Sequence, residues 1–264
     1  MGGFYKGKKT WGIFNSTSKE PFTVSRSKID LFLECPRCFY LDRRLGVSRP
    51  PGFPFNLNNA VDELLKKEFD IHRGNQTVHP LAKAYGLKAV PFQHEDLAGW
   101  RDALKRGVQT IHTPTNFLVR GGIDDVWKDT DGSLIIVDYK ATSKKTEVNL
   151  DADWQIGYKR QMEVYQWLFR QNGFSVSDTG YFVYVNAETD KEAFDAKLEF
   201  SIKLLPYTGK TDWIEATLYD IKACLTDAMY PKAGAQCDYC PYRELAGGSL
   251  RDVHETHKKS AKSA

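Results

Sequence analysis

Two cysteine pairs of the same spacing, Cys35 with Cys38 ("CPRC") and Cys237 with Cys240 ("CDYC"), bracket most of this chain, Cys237 standing 199 positions after Cys38. A C-x-x-C pair can give two thiolates to one metal, and two pairs complete a four-sulfur site. If the pairs share a metal, the N-terminal helices must be clamped to the C-terminal segment, which removes most open topologies at once. The bland alternative is two unrelated pairs of buried cysteines. A disulfide framework is the less natural use of five cysteines in a chain of 264 residues whose start, "MGGFYKGKKTWGIF", lacks the continuous apolar stretch of a secretory signal. Cys224 is left over, on a predicted helix, and reads as core.

The remaining bounds are broad. A chain of this length can bury a sizeable core and form a domain with a subdomain. Its 41% hydrophobic and 27% charged residues are ordinary for a globular protein, and a net charge of +3 permits an acidic partner without demanding one. No apolar run is long enough to span a bilayer. Lys6 stands where an N-myristoylation signal needs Ser or Thr. The expected location is the cytoplasm, with no membrane partner.

Punctuation residues divide the chain. Ser27 and Asp30 suggest a capped helix through "KIDLFLE", Pro36 breaks it, and a second helix through "CFYLDRRL" closes at Gly46. The connector "SRPPGFPF" leads to "NNAVDELLKKEFDIHR", whose apolar positions 61, 64, 65 and 69 keep a helical period. Residues 74 to 98 are expected to be mostly loop, and "LAGWRDALKRGVQ" a short helix. Two strands follow within "RGGIDDVWKDTDGSLIIVDYKAT". A helix comes next, with Tyr158, Met162, Tyr165, Leu168 and Phe169 on one stripe and Gly173 past its end. "TGYFVYVNA" and "KLEFSIKLLPY" are strands, and "DWIEATLYDIKACLTDAM" a C-terminal helix. Strand, helix and strand in succession predict a right-handed crossover with a parallel pair. The first dozen residues and the tail "HETHKKSAKSA" look irregular.

The paired strands carry acids where a core wants none. Side chains two apart share one face of a strand, so Asp138 and Lys140 point together while Tyr139 points the other way. A two-residue Asp131-Gly132 loop would set Asp125 across from Asp138. A three-residue loop, Thr130-Asp131-Gly132, sets Asp124 there, and Gly132 can take its left-handed final position without strain. The longer loop is the preferred register. Two converging carboxylates repel unless a cation lies between them, and oxygen ligands suit Mg²⁺ or Mn²⁺. A neighbouring lysine can hold an attacking water or offset transition-state charge, which together is equipment for metal-assisted phosphodiester hydrolysis. The competing reading of the same spacing is a set of solubility residues on turns and edges.

The series "GGID", "IVDYK" and "QMEVY", with "CPRCFYL" upstream, resembles the PD-(D/E)XK nuclease superfamily in its RecB-like branch, over residues 25 to 245. That resemblance implies an α/β, restriction-endonuclease-like core, a mixed β-sheet flanked by helices, with a helical subdomain clamped by the four-cysteine cluster. It implies catalytic roles for Asp124, Asp138, Lys140, Gln161 and Tyr165, and a metal set of Asp62, Asp124, Asp138 and Tyr139. Similar nucleases carry a histidine upstream in a G-x-x-x-H-x-L-L pattern; "NNAVDELL" has Asp62 at that place, with Glu63 the lesser candidate. AddB-type and CRISPR-associated adaptation nucleases imply a 4Fe–4S cluster on Cys35, Cys38, Cys237 and Cys240. Their usual pattern is one cysteine near the N-terminus and three near the C-terminus, whereas here the last position is Ala246 and Cys38 is extra, which keeps structural Zn²⁺ as the alternative.

The implied organisation is an N-terminal extension (1–24), a helical subdomain with the first cysteine pair (25–100), the nuclease core (101–215), a closing helix with the second pair (216–248) and a tail (249–264). The implied activity is a Mg²⁺- or Mn²⁺-dependent deoxyribonuclease acting on DNA ends or single strands, with Lys144, Lys145 and Arg160 near the mouth of the site. A helicase or CRISPR/defence partner stays open, and so does a catalytically silent nucleic-acid-binding module.

Overall fold

The hydrophobic strand "LIIVDYKAT" is buried along most of its length because it lies at the centre of a sheet rather than at an edge. In the computed structural model, which describes residues 7–52 and 56–262 with side chains to residue 255, it is β6, Leu134–Thr142. Around it run β2 (Val90–Pro91), β5 (Asp125–Lys128), β7 (Thr179–Ala187) and β8 (Phe200–Thr208), in the order β2-β5-β6-β7-β8. β6 and β7 pair in parallel, and the other three pairings are antiparallel. The parallel pair needs a crossover, supplied by helix α6, Ile156–Gln171. The mixed sheet and its crossover agree with the sequence expectation.

A second sheet was not expected. It has three strands in the order β1-β4-β3, with β1 at Phe22–Ser25, β3 at Val108–His112 and β4 at Phe117–Gly121. Its presence corrects two readings. The stretch expected as the helix "LAGWRDALKRGVQ" is helical only as α5, Leu97–Trp100, before the chain turns into β3. The turn brings Gly107 (φ +79°) so close to Gly121 that an added Cβ would lie 2.6 Å from its carbonyl oxygen. Second, α6 is buried along Met162–Phe169 on all sides rather than along one stripe. It packs against β6 on one side and β3 and β4 on the other, so both flanks are covered. Its polar residues find partners within that layer: Glu163 accepts from Tyr207 Oη (2.6 Å), Lys210 N (3.1 Å) and Trp213 Nε1 (2.8 Å).

The far face of the five-stranded sheet is covered by α3, Asn56–Asn75. Leu65 and Phe69 enter a core with Trp127, Ile135, Val137, Tyr139, Val183 and Val185. Residues 74–98, expected to be mostly loop, add α4 (Pro80–Ala84) and the short β2.

The chain forms two compact units: Thr23–Ser27 with Phe53–Thr217, and Met1–Phe22 with Lys28–Gly52 and Leu218–Ala264. The second contains most of α1 (Arg26–Glu34), α2 (Pro36–Arg43), the end of α7 (Asp212–Thr226) and α8 (Tyr239–Lys262). There the buried Asp42 pairs with Lys9 (2.5 Å) and Lys28 (2.8 Å) and accepts from Ser48. Burial opposes its ionisation, but Lys28, Lys9 and Ser48 prevail and hold its carboxyl at about 2. The tail "HETHKKSAKSA" is helical through Lys262, as the end of α8. Of the first dozen residues, 1–6 lie outside the described residues.

Candidate active site and cysteine cluster

The turn between β5 and β6 decides which acids meet. Asp129 N donates to Ser133 O (2.9 Å) and Gly132 N to Asp129 O (3.0 Å), with Gly132 at φ +88°. Thr130, Asp131 and Gly132 are therefore the three loop residues, as the preferred register required. Asp125 pairs with Val137, so one step back along the ladder Asp124 faces Asp138. The chain leaves β4 through Gly121, Gly122 and Ile123 before β5 begins, so Asp124 sits at the mouth of the strand pair. Arg101 Nε holds its carbonyl (3.0 Å), and its own Oδ2 accepts from Tyr139 N (2.9 Å).

Asp138 has no exposed surface, and its Oδ1 accepts no hydrogen bond. Its counter-charge is the Lys140 ammonium, in direct contact with Oδ2. Burial pushes the Asp138 carboxyl up to about 7; Lys140 opposes the rise and Asp124 adds to it. Lys140 shifts upward as well: burial works against its charge, but Asp138 and Asp124 outweigh it. Its Nζ donates to Gln161 Oε1 (3.4 Å) and lies 4.6 Å from the Tyr158 ring centre. Gln161 Nε2 in turn donates to Tyr165 Oη (3.1 Å). Tyr165 fits because Gly121 lacks a side chain; a Cβ there would lie 2.5 Å from Cε1.

The upstream helix brings Asp62 to the same place. Burial and the nearby Asp124 raise its carboxyl, while Lys66 and Lys140 pull it down. Glu63 instead faces solvent, its side chain 70% exposed and paired with Lys67 at 2.8 Å. Lys66, which the sequence reading did not single out, lies between two acids, 2.7 Å from Asp62 Oδ2 and 3.7 Å from Asp124 Oδ1. The i,i+4 step from Asp62 was the available signal.

The Tyr139 side chain points away, as the strand period requires, so a phenol ligand is ruled out. Its hydroxyl donates to Asp125 Oδ2 (2.8 Å) on the α3 face. Asp125 is fully buried and also receives Trp127 Nε1 (3.2 Å), Arg101 Nη2 (3.2 Å), Val126 N (2.9 Å) and Arg73. It is a satisfied structural carboxylate, whereas its neighbour Asp124 is partly exposed and meets Tyr139 N and Lys66. These arginines come from distant segments, which spacing along the chain does not reveal.

A buried carboxylate with one oxygen left without a donor is costly, and a hard divalent cation among Asp62, Asp124 and Asp138 would satisfy it. The residues therefore fit such an ion.

The four cysteines also converge. Cys35, Cys38, Cys237 and Cys240 are buried, with all four Sγ atoms within 4.8 Å of one another. Cys38 Sγ is 3.5 Å from Cys237 and 3.7 Å from Cys240, and Cys35 Sγ is 3.7 Å from Cys240. Burial opposes thiolate formation at Cys35, but the Gly234 and Cys38 N–H donors bring it down to about 6. Cys240 is pushed up to about 12 by burial and by its sulfur neighbours. Four thiolates coexist here only around a cation. Cys224 stands apart, half-buried on α7.

No curated protein matches. Seven solved chains do, among them one described as "Crystal structure of SSO0001", 15% identical, covering 81% of each chain at a TM-score of 0.31. A family model described as PD-(D/E)XK nuclease superfamily matches residues 23–245, which includes both strand acids, the lysine and all four clustered cysteines. The chain belongs to the PD-(D/E)XK nuclease superfamily.

Proposed function

We propose that the protein is a Mg²⁺- or Mn²⁺-dependent deoxyribonuclease that hydrolyses phosphodiester bonds at DNA ends or in single strands, in repair, recombination or defence. The observation that carries this reading is the buried carboxylate of Asp138, facing Asp124 and touching Lys140 through Oδ2 at the end of β6, with Oδ1 left without a donor. Within the superfamily, its motifs resemble the RecB-like branch with its AddB-type and CRISPR-associated members.

Asp62, Asp124 and Asp138 would hold the cation. Tyr139 would contribute its main-chain carbonyl, because N–H and C=O of a strand residue project to the same side and its N–H meets Asp124. When bound, the cation polarises the phosphodiester and acidifies water. Lys140, kept protonated by two acids, donates hydrogen bonds: it can steady the attacking water and offset charge developing on the phosphate. Gln161 and Tyr165 hold Lys140 in place.

Single strands are favoured by the surface beside the site. Trp154 is 57% exposed, edge-on to Tyr158 at 5.4 Å, with Lys144 Nζ 5.2 Å from its ring centre. An open indole beside the Lys144 ammonium suits base stacking along a backbone path, on which Lys144, Lys145 and Arg160 are the proposed phosphate contacts. Four buried thiols placed to bind metal suit a reducing compartment, and the proposed location is cytoplasmic. Among the described residues no helix is long and apolar enough to cross a membrane.

The second reading, a silent nucleic-acid-binding module, is favoured by Lys66, an ammonium already lying between Asp62 and Asp124. Matched linear and circular DNA, each double- and single-stranded, incubated with Mg²⁺ or Mn²⁺ separates the two. Consumption of linear but not circular substrate is the expected result. Binding without cleavage in either metal would favour the silent module.

A further inference from the structure

The resemblance implies a 4Fe–4S cluster at the cysteines, but their spacing does not suit one. A cubane cluster places a separate iron under each thiolate and holds its own bulk between them, so the four sulfurs stand well apart. Ligands sharing a single zinc lie ~2.3 Å from it, so the tetrahedron they form has edges of about 3.8 Å. Three of the sulfur pairs here are 3.5, 3.7 and 3.7 Å apart, and all four sulfurs lie within 4.8 Å of one another. We propose that Cys35, Cys38, Cys237 and Cys240 hold one zinc ion in a closed tetrahedral site with a structural role.

The backbone is shaped for so tight a site. Gly234 N donates to Cys35 Sγ (3.2 Å), and a Cβ on Gly234 would lie 1.9 Å from Glu34 O, so only glycine allows that approach. Cys38 N donates to the same sulfur (3.4 Å), as the first turn of α2 folds over it. Arg49 reaches Cys237 Sγ (3.7 Å) and Arg243 reaches Cys240 Sγ (3.3 Å). Four thiolates around Zn²⁺ leave two negative charges, which these two guanidiniums offset. That balance would serve a 4Fe–4S cluster equally, and the sulfur separations are what discriminate. The two-plus-two spacing points the same way: each C-x-x-C supplies a knuckle of a zinc site, and Ala246, at the place of a further cysteine in similar nucleases, carries no ligand atom. Zinc has no redox chemistry, so the site would neither sense oxidants through its metal nor pass electrons. The inference does not depend on the nuclease reading.

The test is metal analysis of the full-length protein, purified anaerobically from cells supplied with both iron and zinc. One zinc per chain, a colourless solution and no acid-labile sulfide are expected. Iron and labile sulfide near a 4Fe–4S stoichiometry would overturn the proposal, as would protein holding neither metal. Cys38→Ser should lose most of the zinc and melt lower, whereas Cys224→Ser should keep both zinc and melting temperature. Full zinc occupancy in a folded Cys38→Ser would overturn the site. Should Cys38→Ser fail to fold, cobalt substitution of the wild type decides: thiolate-to-cobalt charge transfer with tetrahedral d–d bands is expected, and an octahedral spectrum would contradict it.

Discussion

Asp124 and Asp125 show how adjacent identical residues acquire different work. Asp125 points to the α3 face, where two arginines, a tyrosine, an indole and a backbone N–H saturate it. Asp124 points to the opposite face, toward Asp138, Lys66 and Asp62. The period of the strand and the single Gly132 in the turn made that difference legible from sequence. Lys66 was not legible, because its importance arises only when α3 meets Asp124. Asp62 is the residue whose role is most open to test. If it holds the cation, Asp62→Asn removes one charge without changing shape, and the metal concentration needed for half-maximal cleavage should rise about tenfold, equivalent to ~1.4 kcal/mol of lost attraction. The metal dependence of DNA cleavage checks this. An unchanged requirement would make Asp62 a partner of Lys66 alone.

At the scale of elements, β6, α6 and β7 followed from punctuation and periodicity, whereas the three-stranded sheet did not. Its hairpin was signalled by β-forming residues on both sides of "TPTN", with Asn116 at φ +54° in the turn, but the polar run "RDALKRG" before it read as helix. Missing that sheet hid why α6 is buried on all sides. The sheet also shapes the site, through Gly121 at the end of β4. A methyl group there would lie 2.5 Å from Tyr165 Cε1 and 3.4 Å from Leu168 Cδ1. Gly121→Ala should therefore displace Tyr165, loosen Gln161 and Lys140, and cost about 1–3 kcal/mol of stability through overpacking. Thermal melting together with the cleavage rate checks it: both should fall. A rate that falls with an unchanged melting point, or the reverse, would separate Tyr165 packing from Lys140 placement.

For the molecule as a whole, the proposed site makes stability a predicted function of pH and metal together. Asp138 has its carboxyl raised, by burial first and by Asp124, to about 7. A carboxyl raised above its ordinary value of ~3.9 contributes stability as the neutral form below about pH 4, and this is lost as pH rises through 7. A cation that takes the proton's place returns that stability where the proton has left. Mn²⁺ should accordingly raise the melting temperature by several degrees at pH 8 and by much less at pH 5. Equal shifts at both pH values would mean that the ion binds elsewhere. Asp42, in the other compact unit, acts in the opposite sense: held at about 2, it stabilises above about pH 4, and that contribution fades as pH falls through 2.

The account rests on Asp138 as a metal-holding catalytic acid, and the most direct measurement is Mn²⁺-dependent cleavage of end-labelled linear DNA by the wild type and by Asp138→Asn. Asparagine keeps the shape of the side chain and removes its charge beside Lys140. The wild type is predicted to cleave only with the metal present, and folded Asp138→Asn to be slower by at least about a hundredfold, ~2.7 kcal/mol in the barrier. Cleavage by Asp138→Asn at the wild-type rate, or none by the metal-supplied wild type, would contradict it.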